Sequence, residues 1–368
     1  MDPLYRSSKN RDVPPASPGE FPHLRIGPLS VWPPVVLAPM AGVTNPPFRT
    51  LCRRSGAGLY VSEMITARAL VEGNRKTLLL ASFGPEERTR SLQLYGVDPH
   101  YVGEAVRLLA GEERIDHLDM NFGCPVRKVT KTGAGACLLQ DVDLAYRITE
   151  AVASAVSVPV SVKMRRGVED GSRACLEVGP RLVEAGAATL TLHPRSARQM
   201  YTGYADHSLT AELVELVDVP VIASGDITSR ARAQAVLATT GAAAVMVGRG
   251  AQGNPWALRE IVDGDDTEPS REEVVAELVL FMRETVRELG ERRASGFLKK
   301  FYAWYLGRGR FPRPFKQELV VLNSTADVER RLIAAAPGAL SLIEQLEAEL
   351  PAGDEVTLAL PISAFGGG

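Results

Sequence analysis

The sequence predicts an α/β protein, a (β/α)₈ TIM barrel followed by a smaller C-terminal all-α helical domain. Three observations lead to this prediction. Short β-rich runs alternate with helical stretches eight times, 368 residues suffice for one large barrel and an appendage, and the chain after residue 270 has only helical periodicity. A doubly wound sheet ranks second, because the polar residues follow many different strands rather than one switch point.

The predicted strands are short runs rich in β-branched and apolar residues. They are VVLAPM (35–40), LYVSEM (59–64), RSLQLYG (90–96), HLDMNFG (117–123), PVSVKMR (159–165), ATLTLHP (188–194), PVIASGD (220–226) and AAVMVGR (243–249). Between them, apolar residues recur at three- and four-residue spacing, as in DLAYRITEAVASAV, which predicts amphipathic helices.

Changes in composition and a linker segment divide the chain into four predicted regions. The linker DGDDTEPS interrupts the strand–helix alternation before the helical part begins. The regions are a flexible N-terminal tail at 1–20, the barrel at 21–263, a helical domain at 270–350 and a C-terminal tail at 351–368.

The composition is that of a globular protein, with 45% hydrophobic and 23% charged residues and a net charge of -2. No apolar run approaches the ~20 residues that span a bilayer, and the first residues have no signal-peptide core. A cytoplasmic monomer is therefore expected, with no membrane partner. The four cysteines form no C-x-x-C pair, so no metal site is expected.

Cys124 is the candidate catalytic residue, because active sites of TIM barrels lie at the carboxyl ends of the strands. It follows the fourth strand between Gly123, which permits an unusual turn, and Pro125, which keeps Cys124 out of the α region. The other cysteines (Cys52, Cys137 and Cys175) lie in or beside helical stretches and are interpreted as small buried apolar residues.

Other strand ends carry further polar residues. Strand three supplies Gln93, strand five supplies Lys163 and Arg165, and strand six supplies His193 and Arg195. Each alone has an ordinary structural explanation, but together they favour one site.

Glycines at the last two strand ends, in Gly225-Asp226 and Gly248-Arg249-Gly250, are typical of a phosphate cradle. The first strand ends in Pro39-Met40-Ala41, a small-residue surface on which a flat ring can lie. The pattern predicts a phosphorylated planar cofactor.

Several motifs resemble those of one enzyme family. LDMNFGCPVRKV (118–129) resembles the signature of the tRNA-dihydrouridine synthases. APMAGVTNPPFR, SLQLYG, VKMR, TLHPRS, SGDI and VGRGAQGNPW follow that family's order. The resemblance runs from about Val35 to at least Trp304 and is strongest with the bacterial B type.

The resemblance implies an FMN-dependent barrel that uses NADPH, or NADH, to reduce a uridine of the tRNA D-loop to 5,6-dihydrouridine, with Cys124 as general acid. A thiol suits that role, because its reference pKa of about 8.5 keeps it mostly protonated at neutral pH. The implied cofactor-binding residues are Pro39, Met40, Ala41, Gln93, Lys163, His193, Ser224, Gly225, Asp226, Gly248 and Arg249. Two positions depart from the family pattern: Ser224 replaces a common Asn, and His207 a frequent Trp.

The segment 292–316 is the predicted RNA-binding part of the helical domain. It holds eight Lys or Arg residues, no acidic residue and seven aromatic residues. Its stretch LGRGRFPRPFK is broken by Gly and Pro and cannot form one regular helix face, which favours phosphate contacts for its cations. The predicted substrate-binding residues are Asn121, Lys128, Arg195, Lys299, Arg308, Arg310 and Arg313.

Three other functions fit parts of the sequence. An FMN barrel acting on a free small molecule, as in dihydroorotate dehydrogenases, would leave the basic helical domain without a role. A non-flavin barrel could use Lys163 to form a Schiff base, as in aldolases. An RNA-binding module with an inactive barrel is disfavoured by the residues grouped with Cys124.

Overall fold

The structure, a computed structural model, describes residues 23–84, 87–110, 115–265, 267–349 and 357–358. The predicted N-terminal tail (1–20) lies outside the described residues. Of the predicted C-terminal tail (351–368), only Thr357–Leu358 is described, and it pairs antiparallel with Ser82–Phe83.

Eight parallel strands close into a barrel, and each corresponds to one of the eight predicted strands. They are β1 (Val35–Leu37), β2 (Leu59–Thr66), β3 (Ser91–Tyr95), β4 (His117–Phe122), β5 (Val160–Gly167), β6 (Thr189–Ser196), β7 (Val221–Ser224) and β8 (Ala244–Val247). Strand β8 pairs with β1 and closes the barrel. The predicted TIM barrel is therefore confirmed.

Three strands run further than predicted. Strand β2 ends at Thr66 rather than at residue 64. Strands β5 and β6 continue past their predicted ends because the pairing that has Arg165 opposite His193 resumes after an irregularity, with Gly167 opposite Ser196. The extension carries Gly167, Arg195 and Ser196 to the edge of the barrel, where the active site of such a fold lies.

Helices surround the barrel and make up the C-terminal region. They are α1 (Pro46–Arg53), α2 (Ala67–Val71), α3 (Arg75–Leu80), α4 (Pro99–Ala110), α5 (Arg127–Thr130), α6 (Val142–Ala153), α7 (Ala174–Glu184), α8 (Ser208–Leu216), α9 (Arg230–Thr240), α10 (Trp256–Asp263), α11 (Arg271–Leu289), α12 (Glu291–Arg308), α13 (Arg313–Val321), α14 (Thr325–Ala335) and α15 (Ala339–Glu349).

Local chemistry sets the limits of the first C-terminal helix. Ser270 and Glu273 form a capping box at the start of α11, each side chain bonding the other's backbone N–H. Gly290 at φ +73° ends the helix and starts α12. Helix α13 was not predicted: the prolines that break the basic segment also permit a new helix, because Pro314 lies in its first turn, where no N–H is needed.

A β-hairpin that the sequence did not reveal covers the amino-terminal end of the barrel. Its strands, Leu24–Ile26 and Leu29–Val31, pair antiparallel. Leu24 and Ile26 are fully buried in a cluster with the first residues of β2 and β8, Leu59 and Ala244. The opposite end of the barrel is thus the one left for ligands.

One apolar core joins the barrel to the C-terminal helices. Phe48 of α1 meets Phe281 of α11 edge-on, with 5.9 Å between ring centroids, and lies 6.2 Å from Phe301 of α12. All three side chains are fully buried. The helical region is therefore packed against the barrel. Within the described part of the chain, no helix is both long and apolar enough to cross a membrane.

Candidate active site

A cavity of about 620 Å³ lies at the carboxyl ends of the strands, within the size range of small-molecule sites. Cys124, Asn121 and Arg195 line it. Ten of the eleven predicted cofactor-binding residues also line it: Pro39, Met40, Ala41, Lys163, His193, Ser224, Gly225, Asp226, Gly248 and Arg249. Gln93 does not reach the wall.

Cys124 lies half-buried on a loop that is held from two sides. The side-chain oxygen of Asn121 accepts hydrogen bonds from the backbone N–H groups of Gly123 (3.1 Å) and Cys124 (2.8 Å). The Cys124 carbonyl accepts one from Ala136 N–H at 3.1 Å. Gly135, at φ +64°, passes so close that a Cβ there would lie 2.5 Å from that carbonyl oxygen. The position of the thiol is therefore well defined.

The environment keeps the Cys124 thiol protonated at neutral pH. Burial raises its pKa, and the backbone N–H of Val126 and the charges of Arg165 and Lys163 offset this only in part. A reactive nucleophilic cysteine has a lowered pKa instead. The thiol thus suits proton donation.

Lys163, half-buried in the cavity wall, and Asp119, buried behind it, carry opposite charges. Burial lowers the pKa of Lys163, as does the charge of Arg165, while the Asp119 carboxylate opposes the change. Burial raises the pKa of Asp119, and hydrogen bonds from Ser161 and Gln93 oppose that change. Each charge stabilises the other in a dry interior.

Gln93 is fully buried behind the cavity wall. Its side-chain N–H donates to Asp119 at 2.5 Å, and its side-chain oxygen accepts from the Asn121 amide at 2.8 Å. The predicted contact of Gln93 with a cofactor therefore stays a prediction. Its observed role is to link Asp119 to Asn121.

Arg195 braces the loop after β6. Its guanidinium donates to both Asp226 oxygens (2.7 and 2.9 Å) and to the carbonyls of Thr202 (3.0 Å) and Gly203 (2.7 Å). Asp226 also accepts from Ala205 N–H at 2.8 Å. Both side chains are thus engaged within the protein, and their predicted ligand contacts stay predictions.

His193 is a neutral imidazole at neutral pH. Burial lowers its pKa well below the usual value, and the cationic Lys163, Arg165 and Arg195 act in the same direction. Its Nε2 lies 3.2 Å from Arg195 Nη1. A neutral ring next to these cations can accept a hydrogen bond from a ligand or from Arg195.

The loops after β7 and β8 have the shape of the predicted phosphate cradle. Gly225 has φ +106°, and a Cβ there would lie 2.7 Å from the His193 ring, so the position requires glycine. A Cβ at Gly248 would meet its nearest neighbour only at 3.6 Å, so its absence leaves room in the cavity. The Arg249 guanidinium lies over the Tyr201 ring, 4.5 Å from its centroid, and is exposed.

The two departures from the family pattern lie beside this cradle. Ser224 lines the cavity as the last residue of β7. His207 donates from Nε2 to the Gly225 carbonyl at 2.9 Å, and its Nδ1 lies 3.2 Å from the Thr210 hydroxyl. His207 therefore supports the Gly225 turn from behind.

The loop after β1 is fixed by two charged residues from other elements. Gly42 donates its backbone N–H to the buried Glu63 carboxylate of β2. Its carbonyl accepts from Lys300 Nζ of α12. Because Ala41 lines the cavity immediately before Gly42, a C-terminal helix holds part of the cavity wall.

A family model described as "Dihydrouridine synthase (Dus)" matches residues 36–338, which include the closed barrel from the second residue of β1 onward and most of the C-terminal helices. The chain belongs to the dihydrouridine synthase family. The resemblance found in the sequence is thereby confirmed. Dihydrouridine synthases are oxidoreductases, and membership of this family implies a flavin cofactor.

Named relatives agree with the Dus assignment. A "Probable tRNA-dihydrouridine synthase" of Mycobacterium tuberculosis is 42% identical over 320 residues, covering 81% of this chain and 80% of that protein. A "tRNA-dihydrouridine synthase B" of Pseudomonas aeruginosa is 38% identical over 310 residues, covering 82% of this chain and 92% of that protein. The likeness to the B type is thus confirmed.

A solved structure shows the fold alone. The 6-hydroxypseudooxynicotine amine oxidase of Pseudomonas geniculata N1 superposes with a TM-score of 0.51 at 12% identity. The match covers 72% of this chain, which spans about half (52%) of that protein.

The predicted RNA-binding cations of this Dus chain lie outside the cavity wall. Arg310 and Arg313 are exposed around the start of α13, Lys299 is half-buried on α12, and Lys128 is exposed on α5. Arg308 is half-buried, 3.5 Å from Glu268. Five of the seven aromatic residues of the basic segment are buried, namely Phe301, Tyr302, Tyr305, Phe311 and Phe315. Those five rings belong to the core and are not available to RNA. The Lys and Arg side chains of the basic segment are therefore the groups that RNA could contact.

Sequence analysis gave no role to several residues of the Dus cavity. Tyr201 lines it and receives Arg249 and Arg165 over its ring, at 4.5 and 5.4 Å from the centroid. Tyr201 lies five residues beyond the end of β6, so reading the strand ends alone missed it. Met64, Thr228 and Gln252 also line the cavity. Met64 lies within β2.

Proposed function

We propose that this chain is a tRNA-dihydrouridine synthase that uses FMN and a reduced nicotinamide, NADPH or NADH, to reduce the C5–C6 bond of a D-loop uridine. One observation carries the proposal: a protonated, half-buried thiol lines the same cavity as the glycine cradle and Arg249. Family membership supports the reaction class, and the named relatives support tRNA as substrate.

The residues of the cavity fit a flavin mononucleotide. The lack of a side chain at Gly248 and the exposed Arg249 suit a phosphate, and the loop before the N-terminus of α9 adds backbone N–H groups. Pro39, Met40 and Ala41 follow β1, which pairs with β8, so they lie beside this cradle, where a flat ring could rest on them. Lys163 provides a half-buried positive charge in the cavity wall, which would stabilise the anionic form of a reduced flavin.

When bound, FMN supplies the hydride that it has received from the nicotinamide. Addition of a hydride at C6 of uracil leaves negative charge over C5, C4 and O4. Cys124 Sγ–H then donates its proton to C5, and solvent restores the thiol. One hydride and one proton account for the two hydrogens that the product gains.

Asn121 and His193 have supporting roles in this proposal. Asn121 holds the Cys124 amide through its side-chain oxygen, and it lines the cavity where the uracil edge would lie. The neutral His193 ring does not compete with Cys124 as a proton donor, because its pKa is well below the usual value.

Cations outside the cavity, all exposed except the half-buried Lys299, provide the means to hold the RNA. A base must leave its stack to enter the cavity, which costs a few kcal/mol. Phosphate contacts made by Lys128, Lys299, Arg310 and Arg313 would offset that cost. No acidic partner of Arg310 or Arg313 is found within the described parts of the chain.

The decisive experiment measures NADPH oxidation by the purified, flavin-loaded protein and maps dihydrouridine in the RNA product. The substrates compared are tRNA from a strain that lacks the gene, the same tRNA after ribonuclease digestion, and free uridine. We expect turnover and a mapped dihydrouridine only with intact tRNA. Equal turnover of free uridine or of another small pyrimidine would instead support a small-molecule oxidoreductase, and a colourless protein without turnover would exclude both.

A further inference from the structure

A chain of buried hydrogen bonds runs from Asp119 to the backbone of Cys124. Asp119 accepts from the Ser161 hydroxyl and, at 2.5 Å, from the Gln93 amide. Gln93 accepts from the Asn121 amide at 2.8 Å, and Asn121 accepts from Cys124 N–H at 2.8 Å. Asp119, Gln93 and Asn121 lie on the neighbouring strands β4 and β3, so the backbone fixes their spacing.

In this series of hydrogen bonds from Asp119 to Cys124, the groups at both ends determine which partner donates and which accepts. At one end, backbone N–H groups of Gly123 and Cys124 can only donate, so Asn121 must turn its oxygen toward them. Its amide nitrogen then faces Gln93, which must accept with its oxygen. The nitrogen of Gln93 therefore faces Asp119, where an ionised carboxylate can only accept.

The same result follows from the Asp119 end. If Gln93 turned over, its oxygen would face a carboxylate oxygen, and its nitrogen would face the Asn121 nitrogen. Asn121 could avoid this second conflict only by presenting its nitrogen to the Cys124 N–H. Each conflict would leave buried polar groups without partners, which is costly in a dry interior.

We propose that Asp119 is a positioning residue for Cys124: through Gln93 it fixes the orientation of the Asn121 amide, which holds the Cys124 backbone N–H. The proposal rests on the proposed function in one respect, that Cys124 is the proton donor. Asp119 itself does not line the cavity, so it acts only through the other residues of the chain.

A carboxylate–amide exchange tests the proposal without changing side-chain shape. Gln93→Glu alone places two carboxylates against each other. Gln93→Glu combined with Asp119→Asn restores every donor–acceptor match. The amide introduced at position 119 donates to the carboxylate introduced at position 93 and accepts from Ser161, while that carboxylate still accepts from Asn121. The double variant also keeps the net charge beside Lys163. Asp119→Asn alone is measured as well, because it completes the double-mutant cycle.

Two quantities are measured at pH 6 and pH 9 and divided by the parent value at the same pH. They are the rate at which tRNA reoxidises the reduced flavoenzyme and the rate of Cys124 alkylation by iodoacetamide, followed by peptide mapping. At pH 9 we expect Gln93→Glu to change both the flavin reoxidation rate and the Cys124 alkylation rate by at least about tenfold. At pH 6 the change is smaller, because the two carboxyl groups can share a proton.

The double variant is expected to return to within about threefold of the parent at both pH values. Two results would overturn the proposal. The double variant could fail to recover the parent rates, or the Gln93→Glu defect in the two rates could be the same at both pH values. A change of side-chain shape or a lost ligand contact would then explain the defect. The alkylation rate does not depend on uridine reduction. If alkylation follows the expected pattern while the parent does not reduce tRNA, the positioning role stands and the proposed function fails.

Discussion

Trp304 of α12 packs directly against Gly253 in the loop after β8, where a Cβ would lie 2.5 Å from Trp304 Cβ. Four residues earlier on the same helix, Lys300 donates to the Gly42 carbonyl in the loop after β1. Residues at positions i and i+4 share one helix face, so a single face of α12 braces two loops of the cavity. The C-terminal region therefore takes part in shaping the active site, besides its proposed role in RNA binding.

Gly253→Ala should therefore destabilise the protein and weaken flavin retention. The residue has φ +63°, which disfavours alanine, and the added methyl group would also meet the α12 backbone at 2.7 Å. We expect a loss of unfolding free energy of about 2–4 kcal/mol, measured by urea unfolding, together with reduced flavin content.

Gly241→Ala is the control. Gly241 has a similar φ of +68° in the left-handed helical region, but a Cβ there meets only the Val214 side chain, at 3.4 Å. It should show only the backbone cost, about 1 kcal/mol, with normal flavin content. Equal losses in the two variants would show that contact with α12 does not matter.

Cys124→Ala should separate the two half-reactions. Reduction of the flavin by NADPH should stay within about twofold of the parent, while reoxidation by tRNA should slow by about 10²–10⁴-fold, because only the second step needs the proton. Stopped-flow absorbance of the flavin measures both. Cys137→Ala, which removes another half-buried thiol that is absent from the cavity wall, should leave both rates unchanged. Equal slowing of both steps in Cys124→Ala would assign Cys124 a structural role.

Arg249→Ala should lose flavin, because its exposed guanidinium is the cation at the cradle after β8. A charged contact with a phosphate contributes about 1.5–3 kcal/mol, so the dissociation constant of FMN should rise roughly 10- to 100-fold. Fluorescence titration of the apoprotein with FMN measures it, and riboflavin, which has no phosphate, provides the comparison. Arg249→Lys should retain part of the affinity. If Arg249→Ala weakened riboflavin as much as FMN, the phosphate site would lie elsewhere.

The double variant Arg310→Ala/Arg313→Ala should weaken tRNA binding and flatten its dependence on salt. Each lost phosphate contact reduces the slope of log affinity against log salt concentration by somewhat under one unit. Filter binding across a salt series gives both values. Arg308 is left unchanged because it lies 3.5 Å from Glu268 and is half-buried.

The control for RNA binding is Arg181→Ala/Arg330→Ala. The side chains of Arg181 and Arg330 are 41% and 77% exposed, and each pairs with an acidic residue three positions away, Glu184 and Asp327. The control should keep the affinity and the slope of the parent. If Arg310→Ala/Arg313→Ala behaved in the same way, α13 would be an ordinary solvated surface.

His117 should make the protein less stable as the pH falls below neutrality. Burial lowers its pKa to about 4, whereas an unfolded histidine titrates near 6.5. Between these values the unfolded state binds the extra proton, so the unfolding free energy decreases as the pH falls. From pH 7 to pH 5 the decrease due to His117 is about 2 kcal/mol.

Urea unfolding at the two pH values checks this expectation. His117→Asn, which keeps a hydrogen-bonding group beside Ser91, should lose about 2 kcal/mol less than the parent between pH 7 and pH 5. His100→Asn is the control, because the His100 side chain is 72% exposed. A pH dependence of His117→Asn equal to that of the parent would rule out the buried imidazole as its source.

The eight strands, their parallel closure and the family follow from the amino-acid sequence alone. Alternation of strands and helices is a local property, and the right-handed connection between parallel strands leaves few ways to assemble it. For the same reason, residues in or just after a strand, such as Lys163 and Cys124, could be assigned to one site in the barrel from their positions in the chain.

Tertiary packing determines which of these side chains face the cavity and which hold other groups. Gln93 lies within a barrel strand as Lys163 does, yet it is turned to Asp119 and Asn121 behind the wall. Arg195 pairs with Asp226, and Lys300 reaches Gly42 across 258 positions of the chain. Such partners meet only after the barrel has closed and α12 has packed against it. Because every buried polar group requires a partner, those long-range pairings set the final role of each residue.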